Sequence, residues 1–436
     1  MITLETHQHI NWFRNAAPYI NAHRGKTFVL ALTGDVFQST AIESLAHDIA
    51  LLNSLGTKVV LVHGARPQIE ARLADAGLPS QIEKGYRVTN LDTLEHAIAA
   101  ANSNRTRLEA LFSMGLINSP MHGLNVKTAT GNFVTAQPLG VLEGVDYGHT
   151  GTVRSIDSAA ILEALDHSAI VLISTLGYSP TGEIFNVTLD NLIERTIDAI
   201  DADKLVLFCH PIDSLRQASS SSSVLHPSEL QSLLPNDEEN SALLKAASNS
   251  CQNGVSRAHV LDYSEDGALL QELFTRFGSG VLVQNDDYES NRSATIEDVG
   301  GILELIRPLE QDGSLVTRSR ELLEQEIHQF QVMEIDGMVI GCAALYPYPD
   351  EDMGEIACVA IHADFRGDGR ASTLLNTLEQ KATQLGLTNL FTLSTQTSQW
   401  FVERGYAKAD LNTLPAEKMS MYNMQRNSNI FIKSLL

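Results

Sequence analysis

The chain has 436 residues, which is enough for two or three domains that each bury a hydrophobic core. Its formal net charge of −23 argues against nucleic acid and anionic membrane surfaces as partners, because clustered lysine and arginine bind such phosphate-rich partners. The four cysteines lack C-x-x-C spacing, the first residues carry no apolar signal segment, and no apolar run approaches about 20 residues. These features predict a cytoplasmic protein without a disulfide framework or a zinc site.

The first part of the chain, up to about residue 284, alternates short apolar strands with helical patterns. We predict strands at residues 27–32, 58–63, 169–174, 204–208, 258–261 and 280–283. This alternation is typical of an α/β fold with an open, mostly parallel sheet, which binds ligands at the carboxyl ends of its strands. The serine-rich run at 217–224 is interpreted as a surface insertion, because the alternation resumes after it.

A polar segment at residues 285–292 is predicted to link a first domain, residues 1–284, to a second domain, residues 293–436. The second domain has the pattern of a compact α+β unit. Helices are predicted at 296–306, 318–330 and 372–385, and strands at 331–335, 339–345, 355–361 and 390–394. The first two of these strands form a hairpin, because Asp336 and Gly337 between them are a turn signal.

Several stretches of the first domain follow one another in the order typical of amino-acid kinases. They lie at residues 62–68, 85–89, 131–133, 140–154 and 186–190. On these residues the first domain resembles the amino-acid kinase family, specifically the acetylglutamate kinases. It departs from that family where phosphoryl transfer needs cations, because Ala31 and Leu243 stand in place of two lysines. We therefore expect a kinase fold without kinase activity, although Asp190 is retained.

The arginine-inhibited members of that family share an N-terminal helix and a C-terminal signature. Residues 11–20 resemble the helix, with Tyr19 at the position of a tyrosine that contacts arginine. His259, Glu272 and Gly278 match the signature, and a carboxylate suits the forked donors of a guanidinium group. By spacing alone His259 could be a strand cap and Glu272 a solvated helix residue. The resemblance instead implies an allosteric L-arginine site formed by these four residues.

A glycine-rich loop, RGDGRA at residues 366–371, lies between a strand and a helix of the second domain. Glycines let a backbone approach a phosphate closely, and the N–H groups of a helix N-terminus point at it, although a plain turn is the alternative. The spacing R-x-x-G-x-A resembles the acetyl-CoA pyrophosphate loop of the GNAT acetyltransferases, which implies acetyl-CoA as co-substrate and no metal. The predicted cofactor-binding residues are Cys358, Val359, Ile361, Arg366, Gly367, Asp368, Gly369, Arg370, Ala371 and Ser372.

Acyl transfer from a thioester to an amine needs a base for the amine and an acid for the thiolate. The predicted base is Glu355, which lies on a strand whose next residue points to the opposite face. Many GNAT enzymes use a tyrosine as the acid, but Phe401 occupies that position here and donates no proton. We therefore assign the acid to Ser394, at the end of another strand. The alternatives are a solvated edge-strand carboxylate for Glu355 and a strand-end cap for Ser394.

The choice of acceptor is expected to depend on cations, because arginines bind the carboxylates of glutamate in a bidentate manner. Arg318, Arg426 and Ser428 match the glutamate-holding positions of the bacterial N-acetylglutamate synthase family. Arg320 could take the place of Arg318, since only two residues separate them. Cys358 is expected to be a small buried residue and not a nucleophile.

Together the two domains resemble the bacterial N-acetylglutamate synthases over almost the whole chain. The resemblance implies transfer of an acetyl group from acetyl-CoA to L-glutamate, the first step of arginine biosynthesis, with feedback inhibition by L-arginine and assembly into a homohexamer. Two alternatives stay open. One is a true acetylglutamate kinase with an appended acetyltransferase, and the other is an arginine-sensing binding protein with a degenerate GNAT half.

Overall fold

The structure is a computed structural model of the chain. It describes residues 4–115, 121–209, 215, 224–235, 237–275, 278–285, 289–335, 337–367, 369–395, 398–422 and 428–435. Two predicted site residues, Asp368 and Arg426, lie outside these ranges. The chain divides into two compact units, residues 1–286 and residues 287–436, called here the first and the second unit.

The first unit contains sixteen strands among its described residues. They are β1 Thr27–Leu32, β2 Lys58–His63, β3 Ile82–Glu83, β4 Tyr86–Arg87, β5 Lys127–Ala129, β6 Val134–Pro138, β7 Val141–Leu142, β8 Val145–Asp146, β9 Thr150–Ile156, β10 Ala169–Ser174, β11 Leu176–Tyr178, β12 Ile184–Val187, β13 Lys204–Cys209, β14 Val224–Leu225, β15 Arg257–Asp262 and β16 Val281–Val283.

The helices of the described part of this unit connect the strands. They are α1 Leu4–His23, α2 Ala41–Ser54, α3 Arg66–Asp75, α4 Leu91–Phe112, α5 Ser158–Asp166, α6 Leu189–Ile200, α7 Pro227–Ser232, α8 Glu238–Gln252 and α9 Ala268–Phe274. Short 3-10 turns supplement them.

The main sheet of the first unit has eight strands in the order β14-β16-β15-β13-β1-β2-β10-β5. Its neighbours are parallel except β15 and β16. In β1, Val29 and Ala31 pack into one hydrophobic cluster, while Phe28 and Leu30 pack into another on the opposite face. A strand buried on both faces is continuously apolar, which is why the sequence predicts the six inner strands of this sheet but not the short edge strands β5 and β14. The strands β6, β9, β11 and β12 close into a small barrel.

The second unit contains seven described strands and five described helices. The strands are β17 Ser290–Ser293, β18 Phe330–Ile335, β19 Met338–Tyr348, β20 Met353–Ile361, β21 Asn389–Ser394, β22 Ala407–Ala409 and β23 Asn429–Ser434. The helices are α10 Val299–Gln311, α11 Arg320–Glu326, α12 Arg370–Gln384, α13 Ser398–Val402 and α14 Ala416–Ser420.

One seven-stranded sheet, in the order β17-β18-β19-β20-β21-β23-β22, organises the second unit. All of its neighbours are antiparallel except β20 and β21. The helix α12 packs on one face of this sheet through Leu374 and Leu378, and α10 packs on the other through Ile302 and Ile306. This α+β arrangement confirms the predicted fold class.

Two boundaries in the second unit differ from the sequence prediction. The linker predicted at 285–292 overlaps β17, which pairs with β18. Arg292 on β17 forms ion pairs with Glu334 on β18 and, at 2.7 Å, with Asp298. A polar sequence can form an edge strand when such pairs hold it, and no apolar pattern reveals it. The helix predicted at 318–330 is shorter, since α11 begins at Arg320 and β18 begins at Phe330.

The described residues contain no helix with the length and apolar composition needed to cross a bilayer. The same residues contain no group of three or more histidine, cysteine, aspartate or glutamate side chains that could hold a metal ion.

Candidate active site

The glycine-rich loop of the second unit connects the end of β20 to the first turn of α12. Gly367 and Gly369 have φ values of 110° and 78°, and Gly369 is the residue before the helix. Side chains other than glycine are strained at such φ values, so both positions favour glycine. The loop therefore leads directly into the N-terminus of α12, which is the arrangement that binds phosphate. Arg366 is exposed beside it and donates from Nε to the Ile361 carbonyl oxygen at 3.2 Å.

Two arginines support this loop through side-chain contacts. The guanidinium group of Arg370 donates from Nε to Glu289 Oε1 at 2.6 Å, so this side chain is held by the protein. Ser372 accepts from Nε and Nη2 of Arg404 at 3.0 and 2.8 Å. Arg404 also lies over the Trp400 ring, 4.0 Å from its centroid. The sequence pattern does not single out Arg404, although Phe401 in the same segment occupies the position of the catalytic tyrosine.

The parallel strands β20 and β21 separate beside this loop. Their pairing ends at Ile356 and Thr392, although β20 continues to Ile361 and β21 to Ser394. In the described part of the chain, no strand pairs with residues 357–361 on the β21 side. Unpaired backbone groups inside a sheet are costly unless a ligand or water satisfies them. The gap can therefore accept an extended ligand that carries amide groups.

A β-bulge between β19 and β20 lies next to this gap. The register shifts between Cys342 and Ala344, and Cys358 on the opposite strand has a φ of 54°. Cys358 is buried, and the Sγ atom of Cys342 donates to its carbonyl oxygen at 3.5 Å. Val359 is half-buried and Ile361 is buried. The bulge thus redirects the backbone of β20 at the point where the predicted cofactor contacts begin.

The predicted base, Glu355, is only 5% exposed. Its Oε2 atom lies 2.6 Å from the Nζ atom of Lys418 on α14. Burial and the nearby Glu355 carboxylate raise the pKa of Tyr348, so this phenol stays protonated and donates to Glu355. The structure thus excludes the alternative of a solvated edge-strand carboxylate.

The predicted acid, Ser394, is the last residue of β21 and is buried. It lies at the carboxyl end of that strand, beyond the point where β20 and β21 stop pairing. Phe401, in place of the tyrosine, is 4% exposed and packs against Tyr406 and Phe431. Tyr406 is a core residue that donates to Glu379 at 3.1 Å.

Arg318 precedes α11 and lies against the sheet. Its guanidinium group donates to the Tyr346 hydroxyl oxygen and lies near Cys358. Tyr346 pairs with Glu355 across β19 and β20, so the two side chains share a face of the sheet. Arg318 is therefore on the face that carries the predicted base.

The contacts of Arg320 and Ser428, the other described residues considered for binding the acceptor substrate, say less about that role. Arg320 pairs with Glu324 at 2.8 Å and its side chain is 66% exposed. Ser428 accepts a hydrogen bond from the Tyr422 hydroxyl group at its backbone oxygen, at 2.7 Å.

In the first unit, the predicted arginine-binding residues centre on a buried hydrogen bond between His259 and Glu272. The Nδ1 atom of His259 lies 2.6 Å from Oε1 of Glu272, and both side chains are 5% exposed. Oε2 of Glu272 accepts from the backbone N–H groups of Ser279 and Gly280 at 2.7 and 2.9 Å. Burial lowers the pKa of His259, and its Nε2 atom has no hydrogen-bond partner among the described residues. Tyr19 lies half-buried near the end of α1.

The structure gives a reason for glycine at Gly278 that the sequence did not reveal. Its φ is 62°, and a Cβ atom there would lie 2.3 Å from Oε2 of Glu272. Glycine therefore lets this backbone wrap around the Glu272 carboxylate.

The first unit also contains a cavity of about 450 Å³ at the carboxyl ends of β2 and β10, lined by Gly64, Arg66, Thr175 and Asp190, among others. Arg66 lies 3.1 Å from Glu239 within this wall. Ala31 is fully buried in β1, and Leu243 is buried at the cavity.

Comparisons with known proteins identify both units. The amino acid kinase family matches residues 26–211, and the GNAT family of acetyltransferases matches residues 301–406. An amino-acid acetyltransferase of Pseudomonas putida is 50% identical over 429 residues, which cover 98% of this chain and 99% of that protein. The chain belongs to the amino-acid acetyltransferase family. The amino-acid acetyltransferase of Azotobacter vinelandii is 49% identical over 98% of this chain and 99% of that protein.

Solved structures of related enzymes agree with this family. The N-acetylglutamate synthase of Neisseria gonorrhoeae, in complex with coenzyme A and L-arginine, is 36% identical with a TM-score of 0.88. The match covers 98% of this chain and 99% of that chain. The same enzyme in complex with coenzyme A and N-acetyl-glutamate matches with a TM-score of 0.61.

As an amino-acid acetyltransferase, the chain is an acyltransferase that uses acetyl-CoA. The predicted resemblance, fold class, enzyme class and co-substrate are therefore confirmed. The individual site residues remain predictions. Sequence reasoning missed Lys418, because it lies on a separate short helix and no spacing relates it to Glu355.

Proposed function

We propose that this amino-acid acetyltransferase acetylates L-glutamate to N-acetyl-L-glutamate, and that L-arginine inhibits it through the first unit. The observation that carries the proposal is the buried Glu355 carboxylate beside the separated strands, with Arg318 on the same face of the sheet. The Neisseria gonorrhoeae enzyme, which has been crystallised with coenzyme A, L-arginine and N-acetyl-glutamate, supports the same substrates.

In the proposed reaction, Glu355 removes a proton from the α-ammonium group of glutamate, directly or through a water molecule. The free amine attacks the thioester carbonyl carbon, so that a C–N bond forms and the C–S bond breaks. Ser394 donates a proton to the leaving thiolate and recovers one, directly or through water, from the attacking nitrogen, which loses its second proton as the amide forms. The first turn of α12 and Arg366 hold the pyrophosphate of the co-substrate, and the unpaired edge of β20 holds its amide-containing arm.

The choice of glutamate is assigned to Arg318, Arg426 and Ser428. A dicarboxylate needs two positively charged partners, and an arginine held against the sheet has less freedom to lose on binding than an exposed one. The exposure of Arg320 and its pairing with Glu324 favour Arg318 for this role.

The first unit is proposed to be a regulatory domain without kinase activity. Ala31 and Leu243 supply no cation at the positions of the kinase lysines. Arginine would bind near Tyr19, His259, Glu272 and Gly278. Since both Glu272 oxygens already accept hydrogen bonds, the guanidinium group would use their remaining lone pairs. The proposed domains are residues 1–284 and 293–436.

The same family resemblance supports three broader proposals. The reaction is the first step of arginine biosynthesis, the enzyme works in the cytoplasm, and its functional form is a homohexamer. Sedimentation velocity of the purified chain tests the last of these, because a monomer or dimer would contradict it.

The proposed function is tested by initial rates of CoA release with acetyl-CoA and L-glutamate, with and without L-arginine. The matched control is Glu95→Gln, an exposed carboxylate on α4 of the first unit. We expect release with wild type and with the control, and inhibition by arginine in both. Absence of release would favour the arginine-sensing alternative, and ATP-dependent phosphorylation of N-acetylglutamate would favour the kinase alternative.

A further inference from the structure

The ion pair between Glu355 and Lys418 is unusual because it is largely removed from water. The Glu355 side chain is 7% exposed and that of Lys418 is 22% exposed, with 2.6 Å between Oε2 and Nζ. Ion pairs in solvent contribute little, whereas removing one partner of a buried pair leaves an uncompensated charge. We therefore expect the charge and the position of the Glu355 carboxylate to depend on Lys418.

The chain holds Lys418 in this place through the surroundings of α14. Leu414, just before the helix, packs with Met353 and Phe391 in a small hydrophobic cluster beside Glu355. The backbone N–H of Ala416 donates to Oε1 of Glu351 at 3.4 Å, which ties the helix start to the turn between β19 and β20. The position of Lys418 thus follows from packing and not from a mobile side chain on the surface.

Other charged and titratable groups near Glu355 do not replace this cation. Arg318, on the same face of the sheet, interacts with Tyr346 and Cys358. Tyr348 donates to Glu355 but is neutral, and the carboxylates Glu351 and Glu417 lie near enough to raise the pKa of Tyr348 further. Tyr346, across the strand pair, is also uncharged at neutral pH, since its hydroxyl donates to Glu326 at 2.7 Å. Lys418 is therefore the cation that contacts the Glu355 carboxylate directly, at 2.6 Å.

We propose that Lys418 is a positioning residue for the base: it holds Glu355 ionised and fixes one of its oxygens, so that the carboxylate can accept the proton of the incoming ammonium group. The proposal rests on the proposed role of Glu355 in acetyl transfer. Lys418 itself needs no contact with either substrate.

The test is the pH profile of kcat/KM for Lys418→Met and Lys418→Arg, measured by CoA release. An opposite charge at this distance shifts a titration by one to three pH units. We therefore expect the acid limb of the Lys418→Met profile to move to higher pH by at least one pH unit. At the pH of the wild-type acid limb, kcat/KM should fall at least tenfold, and it should recover at alkaline pH. Lys418→Arg keeps the charge and is expected to keep the wild-type limb.

A purely structural role would lower the rate equally at all pH values, and such a profile would overturn the proposal. Lys408→Met, an exposed lysine on β22, is the matched control and is expected to leave the profile unchanged. If circular dichroism shows that Lys418→Met does not fold, the pH profile of Lys418→Gln is measured instead, and the same shift of its acid limb is expected.

The profile is measured with whichever amino acid the wild-type chain acetylates. Failure of glutamate as acceptor would therefore contradict the proposed substrate and leave the Lys418 test intact. An unmoved acid limb in an active Lys418→Met variant would contradict only the role of Lys418.

Discussion

Replacing Glu272 by glutamine should destabilise the first unit at neutral pH. Burial alone would raise the pKa of Glu272, but hydrogen bonds from His259 and from two backbone N–H groups outweigh it and lower the pKa to about 2, from 4.5. One pKa unit corresponds to about 1.36 kcal/mol, so the ionised carboxylate contributes about 3 kcal/mol to the free energy of unfolding. Small domains are stable by only about 5–15 kcal/mol, so this loss is measurable.

The sign of the pH dependence follows from the lowered pKa. A group whose pKa is lower in the folded state stabilises the protein above its ordinary pKa and loses that effect as the pH falls toward the folded value. Glu272 should therefore contribute fully above about pH 4.5 and lose its contribution between about pH 4.5 and 2. The difference between wild type and Glu272→Gln should shrink from about 3 kcal/mol at pH 7 to about 1 kcal/mol at pH 3.

Urea unfolding followed by circular dichroism measures both differences. Glu95→Gln removes an exposed carboxylate of the same unit and should leave the midpoint within the error of wild type at both pH values. A Glu272→Gln difference that is equal at pH 7 and pH 3, or larger at pH 3, would refute the reasoning, because it would mean that the carboxylate is not preferentially ionised in the folded state.

Three further predictions follow from local geometry. Glu355→Gln should lower kcat by about 10²- to 10⁴-fold in steady-state CoA release, since general base catalysis contributes that much; an unchanged kcat would contradict its role. Gly369→Ala should raise the KM for acetyl-CoA by roughly tenfold, because an alanine at a φ of 78° costs about 1–2 kcal/mol, and an unchanged KM would show that the loop does not hold the co-substrate. Gly278→Ala should destabilise the chain by about 1–3 kcal/mol in urea unfolding, more than Gly77→Ala, whose φ of 67° is similar but whose Cβ would meet nothing within 4 Å. Equal effects of these two substitutions would contradict the close approach to Glu272.

The features that sequence reasoning predicted are those with a local physical cause. The central strands could be predicted because Val29 and Leu30 are both buried, which requires a continuous apolar run. The glycine loop could be predicted because positive φ values at Gly367 and Gly369 restrict the residue type.

The features that it missed arise from contacts between distant segments. The ion pair of Lys418 with Glu355 and the hydrogen bonds of Arg404 to Ser372 join different elements, and no period or spacing marks them. The edge strand β17 is polar and depends on Arg292, so its sequence is indistinguishable from a linker.

CoA release from acetyl-CoA, measured against glutamate, aspartate and lysine with and without arginine, tests the proposed function most directly. We predict release with glutamate far above release with aspartate or lysine, and a lower rate when L-arginine is added. Preference for aspartate or lysine would contradict the assignment of Arg318 and Arg426, and a rate indifferent to arginine would contradict the regulatory role of the first unit.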